Sequence, residues 1–246
     1  MQMAIDEAIL ESHLADLVPP TLRLYGFTPP AVTVGLSQPM PDSLVASINA
    51  RGIDVVRRPT GGRAVLHLND LTYSFVGRDL STGGVLPTSV SASYKQICEG
   101  LILSFAQFGV AAQLGSSGAG YRHLKDCFMA TTGSDLHHQG VKLIGSAQLR
   151  RRGGVLQHGS VPLNQDPNLM SEILNEPVGE GLRHHNLFDL VGRAIATDEL
   201  QAAMMNGFAQ AFGVELSCQP LTQWERDWAQ QRSAAYRIAV PASATQ

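Results

Sequence analysis

One stretch of the chain, residues 127 to 163, gathers side chains able to do covalent chemistry: CFMATTGSDLHHQGVKLIGSAQLRRRGGVLQHGSVPL. It opens on Cys127 in a Gly/Ser-rich loop, passes Lys142 on a strand, and returns through His158 on a second strand. A thiolate is a strong nucleophile, and an ammonium is a compact charge that can hold an oxyanion. Gly145, Ser146 and Ala147 are poor strand formers that leave empty volume, so a neighbouring backbone or an extended ligand lies against them. Gly159 and Ser160 repeat this in the returning strand. Such a set suits the capture of an acyl group and its delivery to a second acceptor.

Each residue also has a plainer reading. Cys127 could be tucked inward beside Phe128; Arg122, His123 and Lys125 would lower its pKa if they fold over it, and Asp126 would oppose them. Cys98 shares a helical face with Leu101, Ile102 and Phe105 and reads as a core thiol. Cys218 alternates with Val214 and Leu216 and is expected on a buried strand. Lys142 could be a solvated strand residue. Arg150, Arg151 and Arg152 flank a hairpin turn and read as a solvated tip or a docking patch for an acidic partner. His184 and His185 are adjacent and point apart in most backbones, which argues against a metal site.

A second informative stretch is IDVVRRPTGGRAVLHLNDLTYSFVG, residues 53–77. Three β-rich runs separated by PTGG and LND read as an antiparallel meander, with Gly61 and Gly62 at one turn. The same glycines could instead let backbone N–H groups approach a ligand's polar head, with Arg57, Arg58 or Arg63 beside them. His67, at a strand end, is by itself more often structural than catalytic.

The remaining elements must position these groups. MAIDEAILESHL places Ile5, Ile9 and Leu10 on one helical face, continued by Leu14 and Leu17 and ended by Pro19 and Pro20. Asp6 and Glu7 are expected in its first turn, favourable to the helix dipole. TLRLY and AVTV read as strands; SASYKQICEGLILSFAQFG reads as a helix stopped by Gly109, followed by a short strand VAAQL. Asp166 and Pro167 should start one later helix, Thr197 should cap another with Leu200, Met204, Phe208 and Phe212 inward, and Trp224 and Trp228 should share a face of a final docking helix.

The 246 residues suffice for one sizeable core, without repeats or a convincing linker. Apolar and charged fractions of 44% and 16% are those of a globular domain, and a net charge of -3 gives no electrostatic reason to bind nucleic acid or an anionic membrane. No apolar run approaches the ~18 residues of a membrane span, and the N-terminus lacks a signal pattern. Three cysteines without metal-ligand spacing argue against a disulfide framework or zinc site. A cytoplasmic protein is expected.

The blocks MAIDEAIL, RRPTGGRAVLHLNDLTYS, SYKQICEGL, DCF, SDL and KLIGSAQLRRRGGVLQHGS together resemble the biotin/lipoate protein ligase and lipoyl transferase family, most nearly its LipM-type octanoyltransferases. The likeness covers roughly residues 1–215 of a single catalytic domain spanning 1–246, with 216–246 as a helical tail. Members usually carry a strand ahead of the first block, whereas this chain begins inside it, so either the start is truncated or an edge strand is missing; the accessory domain of larger ligases is not expected.

The resemblance implies an α+β fold, with a mixed, largely antiparallel sheet and flanking helices of the class II synthetase type. It implies Cys127 as nucleophile and Lys142 as the catalytic lysine. It places substrate against Arg57, Arg58, Thr60, Gly61, Gly62, Ala64, His67 and Tyr73 on one side, and Gly145, Ser146, Ala147, His158 and Gly159 on the other, with Val65 beside the acyl chain. Octanoyl would move from acyl carrier protein to a lysine of a lipoyl domain, such as glycine cleavage protein H or an E2 subunit, with no cofactor. The main rival is an ATP-dependent lipoate ligase, which would need ATP and Mg2+ and leave Cys127 incidental; an amidotransferase between lipoyl proteins is a close cousin. A non-catalytic acyl-binding subunit would need neither Cys127 nor Lys142. A monomer is expected.

Overall fold

The computed structural model describes residues 1–115, 135–166, 168–175 and 184–239. Cys127 therefore lies outside the described residues, as do Arg122, His123 and Lys125. The elements run α1 (Gln2–Leu14), β1 (Thr21–Tyr25), β2 (Ala31–Val34), α2 (Asp42–Ala50), β3 (Asp54–Arg57), β4 (Val65–His67), β5 (Asp70–Arg78) and α3 (Val90–Ala106). Then come β6 (Gln113–Leu114), β7 (Leu136–His138), β8 (Val141–Arg151), β9 (Gly154–Pro162), α4 (Leu169–Leu174), α5 (Leu187–Val191), α6 (Thr197–Phe212) and α7 (Gln223–Arg232). Among the described residues no helix is long and apolar enough to cross a membrane.

A six-stranded sheet in the order β1-β5-β9-β8-β7-β6 is antiparallel throughout, and a smaller sheet β3-β2-β4 contains one parallel pair, β2 with β3. This is the mixed α+β architecture expected, with helices flanking a largely antiparallel sheet. β5 is buried along nearly its whole length because helices cover both its faces. Leu71, Tyr73 and Phe75 meet Ile97, Cys98, Leu101 and Phe105 of α3 and Met204 and Phe208 of α6. The alternate residue Val76, with Leu156 of β9, meets Ile9 and Leu10 of α1.

The helices α3 and α6 cross closely because each places a glycine at the contact. A Cβ on Gly207 would overlap Ser104 Oγ and the carbonyl oxygen of Gly100, and one on Gly100 would lie 2.8 Å from Phe208 Cγ. Gly207→Ala should therefore prise the pair apart and cost about 1–3 kcal/mol, the usual range for overpacking. Thermal unfolding reads this directly, and an unchanged Tm would contradict so close a crossing.

The expected meander does not form. β3 and β4 lie on opposite sides of β2, and β5 leaves for the large sheet, so PTGG is a connection between strands that are not neighbours. Its shape follows from backbone contact: a Cβ on Gly35 would overlap the Gly62 carbonyl, and Leu36 N–H donates to Thr60 O at 2.9 Å. The α2 helix, with Leu44, Val45 and Ile48 buried, is absent from the sequence reading.

Several smaller expectations also change. Asp6 lies beyond the first turn of α1 and is fully buried, so it is no helix-dipole acid. α1 ends at Leu14, ahead of the prolines, and Leu17 is exposed. Cys218 is exposed in a segment without regular structure, where Val214 and Leu216 are also exposed. The α4 and α6 helices have Asn168 and Ala196 at their caps, although Asp166 does accept from Asn168 N–H at 2.9 Å. In α7, Trp228 packs with Ala4 and Ala8 of α1 whereas Trp224 is exposed. The RRRGG hairpin forms as read, its turn residues Arg152 and Gly153 both having positive φ. Its arginines are bound within the molecule: Arg150 to Asp79 at 3.0 Å, Arg151 to Glu7 at 2.9 Å, and Arg152 to Glu11.

Candidate active site

The small residues of β8 and β9, the loop after β3 and the first turn of α1 meet around one cleft. Its empty space, the open solvent at its mouth included, is about 550 Å³. Thr33, Arg58, Gly62, Val65 and His67 come from the smaller sheet and its loop; Met3, Tyr25, Thr72, His158 and Ser160 come from α1, β1, β5 and β9. Gly145, Ser146, Ala147 and Gly159 form the small-residue wall, with Lys142 and Asp135 beside it.

Lys142 is only 2% exposed, so it is not the solvated strand lysine of the plainer reading. A buried ammonium needs opposite charge close by. Asp135 supplies it, with Oδ1 3.0 Å from Nζ. The pair is placed by the β7–β8 hairpin, whose turn residues Gln139 and Gly140 both have positive φ. The Lys142 carbonyl accepts from His185 N–H at 2.8 Å, which docks the 184–186 segment on this strand. His185 Nε2 lies 3.1 Å from the His138 carbonyl.

The opposite wall is a polar network. Asp6 accepts from Arg23 Nη1 and Tyr25 OH, each at 2.6 Å, and from Ser74 Oγ at 2.8 Å, and His158 Nδ1 lies 3.3 Å away. Burial alone would push the Asp6 carboxyl up, but Arg23, His158 and Tyr25 outweigh it and hold the group below the usual carboxylate range. Burial lowers the pKa of His158 although Asp6 opposes the change, so the ring is neutral near pH 7. Thr60 Oγ1 meets its other nitrogen at 2.6 Å.

Of the substrate-binding residues expected, Arg58, Gly62, His67, Gly145, Ser146, Ala147, His158 and Gly159 line the cleft, together with Lys142; Arg57, Thr60, Gly61, Ala64 and Tyr73 do not. Arg57 donates to the carbonyls of Gly35, Leu36 and Gln38, clamping its own neighbourhood. Arg58 donates to Gly61 O at 2.8 Å and Arg63 O at 2.6 Å, and so closes the glycine loop. Ala64 is buried in the core of the smaller sheet. Tyr73 braces the wall from behind, its OH 2.7 Å from Ser146 Oγ and receiving Gln157 Nε2 at 3.0 Å.

Gly159 resolves one alternative. A Cβ there would stand 2.5 Å from Ser146 Oγ, 2.7 Å from Gly145 O and 2.8 Å from Tyr73 Cε1. Its smallness serves the close approach of strand and ring, whatever lies in the cleft. The sequence reading misses Asp6, Met3, Tyr25, Thr33, Thr72, Asp135 and Ser160. A signal existed for two of them: Asp6 is in helical register with Met3 and Leu10, and the Gln139–Gly140 turn folds residues 135–138 back toward Lys142.

A family model described as the lipoyl protein ligase A/B catalytic domain matches residues 1–209. The chain belongs to this family. It is 38% identical over 250 residues to the octanoyltransferase LipM of Kyrpidia tusciae, covering 95% of this chain and 90% of that protein. It is 39% identical over 245 residues to the octanoyltransferase LipM of Symbiobacterium thermophilum, covering 93% and 88%. A lipoate-protein ligase A bound with ATP has the same fold, with a TM-score of 0.72, 24% identity and coverage of 94% and 87% of the two chains. A bipartite lipoate protein ligase from Thermoplasma acidophilum gives 0.72 and 22%, with coverage of 94% and 86%. The chain is thus an acyltransferase-type enzyme, closely related to the LipM-type octanoyltransferases within the lipoate-ligase superfamily.

Proposed function

We propose that this chain is an octanoyltransferase that takes octanoyl from an acyl-carrier-protein thioester and passes it, through a thioester on Cys127, to a lysine of a lipoyl domain. Glycine cleavage protein H and E2 subunits are the kind of acceptor meant. The observation that carries the reading is the position of Lys142, a buried ammonium paired with Asp135 at 3.0 Å on a cleft walled by small residues. The names of the relatives support the acyl group and the class of reaction.

In the first step the Cys127 thiolate attacks the acyl carbonyl, a new C–S bond forms, and the carrier leaves as a thiolate that takes up the proton Cys127 gave up. In the second, the neutral amine of the acceptor lysine attacks, the C–N bond forms, and Cys127 leaves with the amine's proton returned to it. Thioester to amide is downhill, so no ATP enters. Lys142 stabilises the acyl oxyanion in both steps, a contribution of about 3–4 kcal/mol by analogy with other oxyanion donors. Val65, Ala147 and the backbone of Gly145 flank the chain, each buried methylene adding ~0.8 kcal/mol.

The ligase reading differs in its inputs. Octanoyl-carrier protein and a lipoyl domain, mixed with the enzyme and no nucleotide, should give octanoyl on the acceptor lysine by intact mass. Product formed only from free octanoate with ATP would assign the chain to ligation instead.

The small wall should also set chain length. Ala147→Leu should fill the slot and lower octanoyl transfer relative to a four-carbon donor, by a differential of about 1–3 kcal/mol. Equal losses for the two donors in kcat/KM would mean that Ala147 serves packing alone.

A further inference from the structure

Two buried carboxylates stand behind histidines of the cleft wall, and the steps above use neither. Asp6 on α1 faces His158 Nδ1 at 3.3 Å, and Asp70 at the start of β5 faces His67 Nδ1 at 2.8 Å. Asp70 is further fixed by Ser160 Oγ at 2.6 Å and Thr72 Oγ1 at 3.1 Å. Each imidazole continues to a threonine: His158 Nε2 lies 2.6 Å from Thr60 Oγ1, and His67 Nε2 lies 3.0 Å from Thr33 Oγ1. Thr33 then meets Arg58, whose Nη1 donates to the Thr33 carbonyl at 3.0 Å and to Oγ1 at 3.4 Å.

Both chains end on one loop. Thr60 and Arg58 belong to the 58–62 segment, which carries Gly62 to the cleft. A carboxylate only accepts, so the nitrogen facing it carries the hydrogen, and in a neutral ring the far nitrogen presents a lone pair to the threonine hydroxyl. Reversing the tautomer would oblige Thr60 to accept where it now donates. We infer that Asp6 and Asp70 are positioning residues: each fixes the tautomer of one cleft-wall histidine, and the two Asp–His–Thr chains hold the 58–62 loop in the shape that receives the donor's polar end. This rests on the acyl-transfer reading for its consequence, though not for its geometry.

The test combines Asp6→Asn with Thr60→Val, singly and together, using nitrogen NMR of labelled histidines and steady-state transfer. Arg23 and Ser74 both donate to Oδ1 of Asp6, so that atom stays oxygen in Asp6→Asn; the new NH2 takes the Oδ2 position, where it faces His158 and the Tyr25 hydroxyl turns from donor to acceptor. His158 should therefore switch from Nδ1–H to Nε2–H. The kcat should fall on the order of 10–100-fold, as for carboxylates that orient metal-bound histidines, with KM moved much less. Thr60→Val should give a similar fall, Thr60→Ser should restore activity, and the double variant should be no slower than the slower single one. A His158 that keeps Nδ1–H in Asp6→Asn, or losses that multiply in the double variant, would overturn the inference. His67, Thr72 and Ser160 all face Oδ2 of Asp70, so an asparagine there would keep an oxygen on His67. If Asp6→Asn does not fold, Asp70→Ala with Thr33→Val, read at His67, decides: Nδ1–H should no longer dominate and the losses should not multiply. A His67 that keeps Nδ1–H, or losses that multiply, would overturn the inference. The tautomer is measured on the resting enzyme, so its failure is distinct from failure of the transfer reading, which appears as wild-type enzyme without transfer.

Discussion

Replacing Lys142 with alanine is expected to slow both half-reactions by roughly 10²–10³-fold, the usual loss for one oxyanion donor. The ammonium is buried on the cleft and held 3.0 Å from Asp135, so it is already desolvated and oriented before substrate arrives. Arginine should not rescue, because a planar fork of greater bulk cannot reproduce a point charge in a slot sized for lysine. Removing Lys142 also takes the opposite charge from the buried Asp135, which costs stability. Lys142→Ala combined with Asp135→Asn removes both charges, and should recover stability without recovering rate. The partial reaction is the sharper reading. Single-turnover formation of the Cys127 thioester should itself be impaired; normal adduct with failed delivery would confine Lys142 to the second step.

Cys127→Ala should abolish transfer from octanoyl-carrier protein and leave folding intact. The other two thiols do not serve the cleft. Cys98 is fully buried between β5 and α3, where burial pushes its pKa up to about 12, so it carries almost no thiolate near pH 7. Cys218 is exposed in the segment after α6 and does not line the cleft, so Cys218→Ser should transfer like wild type. Circular dichroism and Tm of Cys127→Ala should match wild type. Turnover near the wild-type rate in that variant would remove the acyl-enzyme step.

Much of the scaffold was legible because local pattern and final burial coincide. Leu101 and Phe105 of α3, or Met204 and Phe208 of α6, repeat at helical spacing because one face meets the sheet. Partner choice between strands was harder. IDVVRR and RAVLH look like consecutive members of a meander, yet β2 lies between them, and no local spacing records an inserted strand. Asp6 shows the same limit on a smaller scale. An acid near the start of a helix reads as a dipole partner, and only the tertiary arrival of Arg23, Tyr25, Ser74 and His158 makes it a buried anchor. Cys218 erred in the other direction, since alternation with Val214 and Leu216 suggests a strand that finds no neighbour to pair with. In the site, the small residues and Lys142 are read from sequence; the acid that neutralises Lys142 is not, because Asp135 reaches it across a hairpin whose Gln139–Gly140 turn the sequence reading misses.

The central claim is a covalent acyl-enzyme, and intact-mass spectrometry tests it most directly. After incubation with octanoyl-carrier protein and no acceptor, the enzyme should gain one octanoyl mass. Hydroxylamine should remove it, peptide mapping should place it on Cys127, and adding a lipoyl domain should discharge it onto the acceptor lysine. An enzyme that shows no adduct, yet modifies the acceptor once free octanoate and ATP are supplied, would contradict the account.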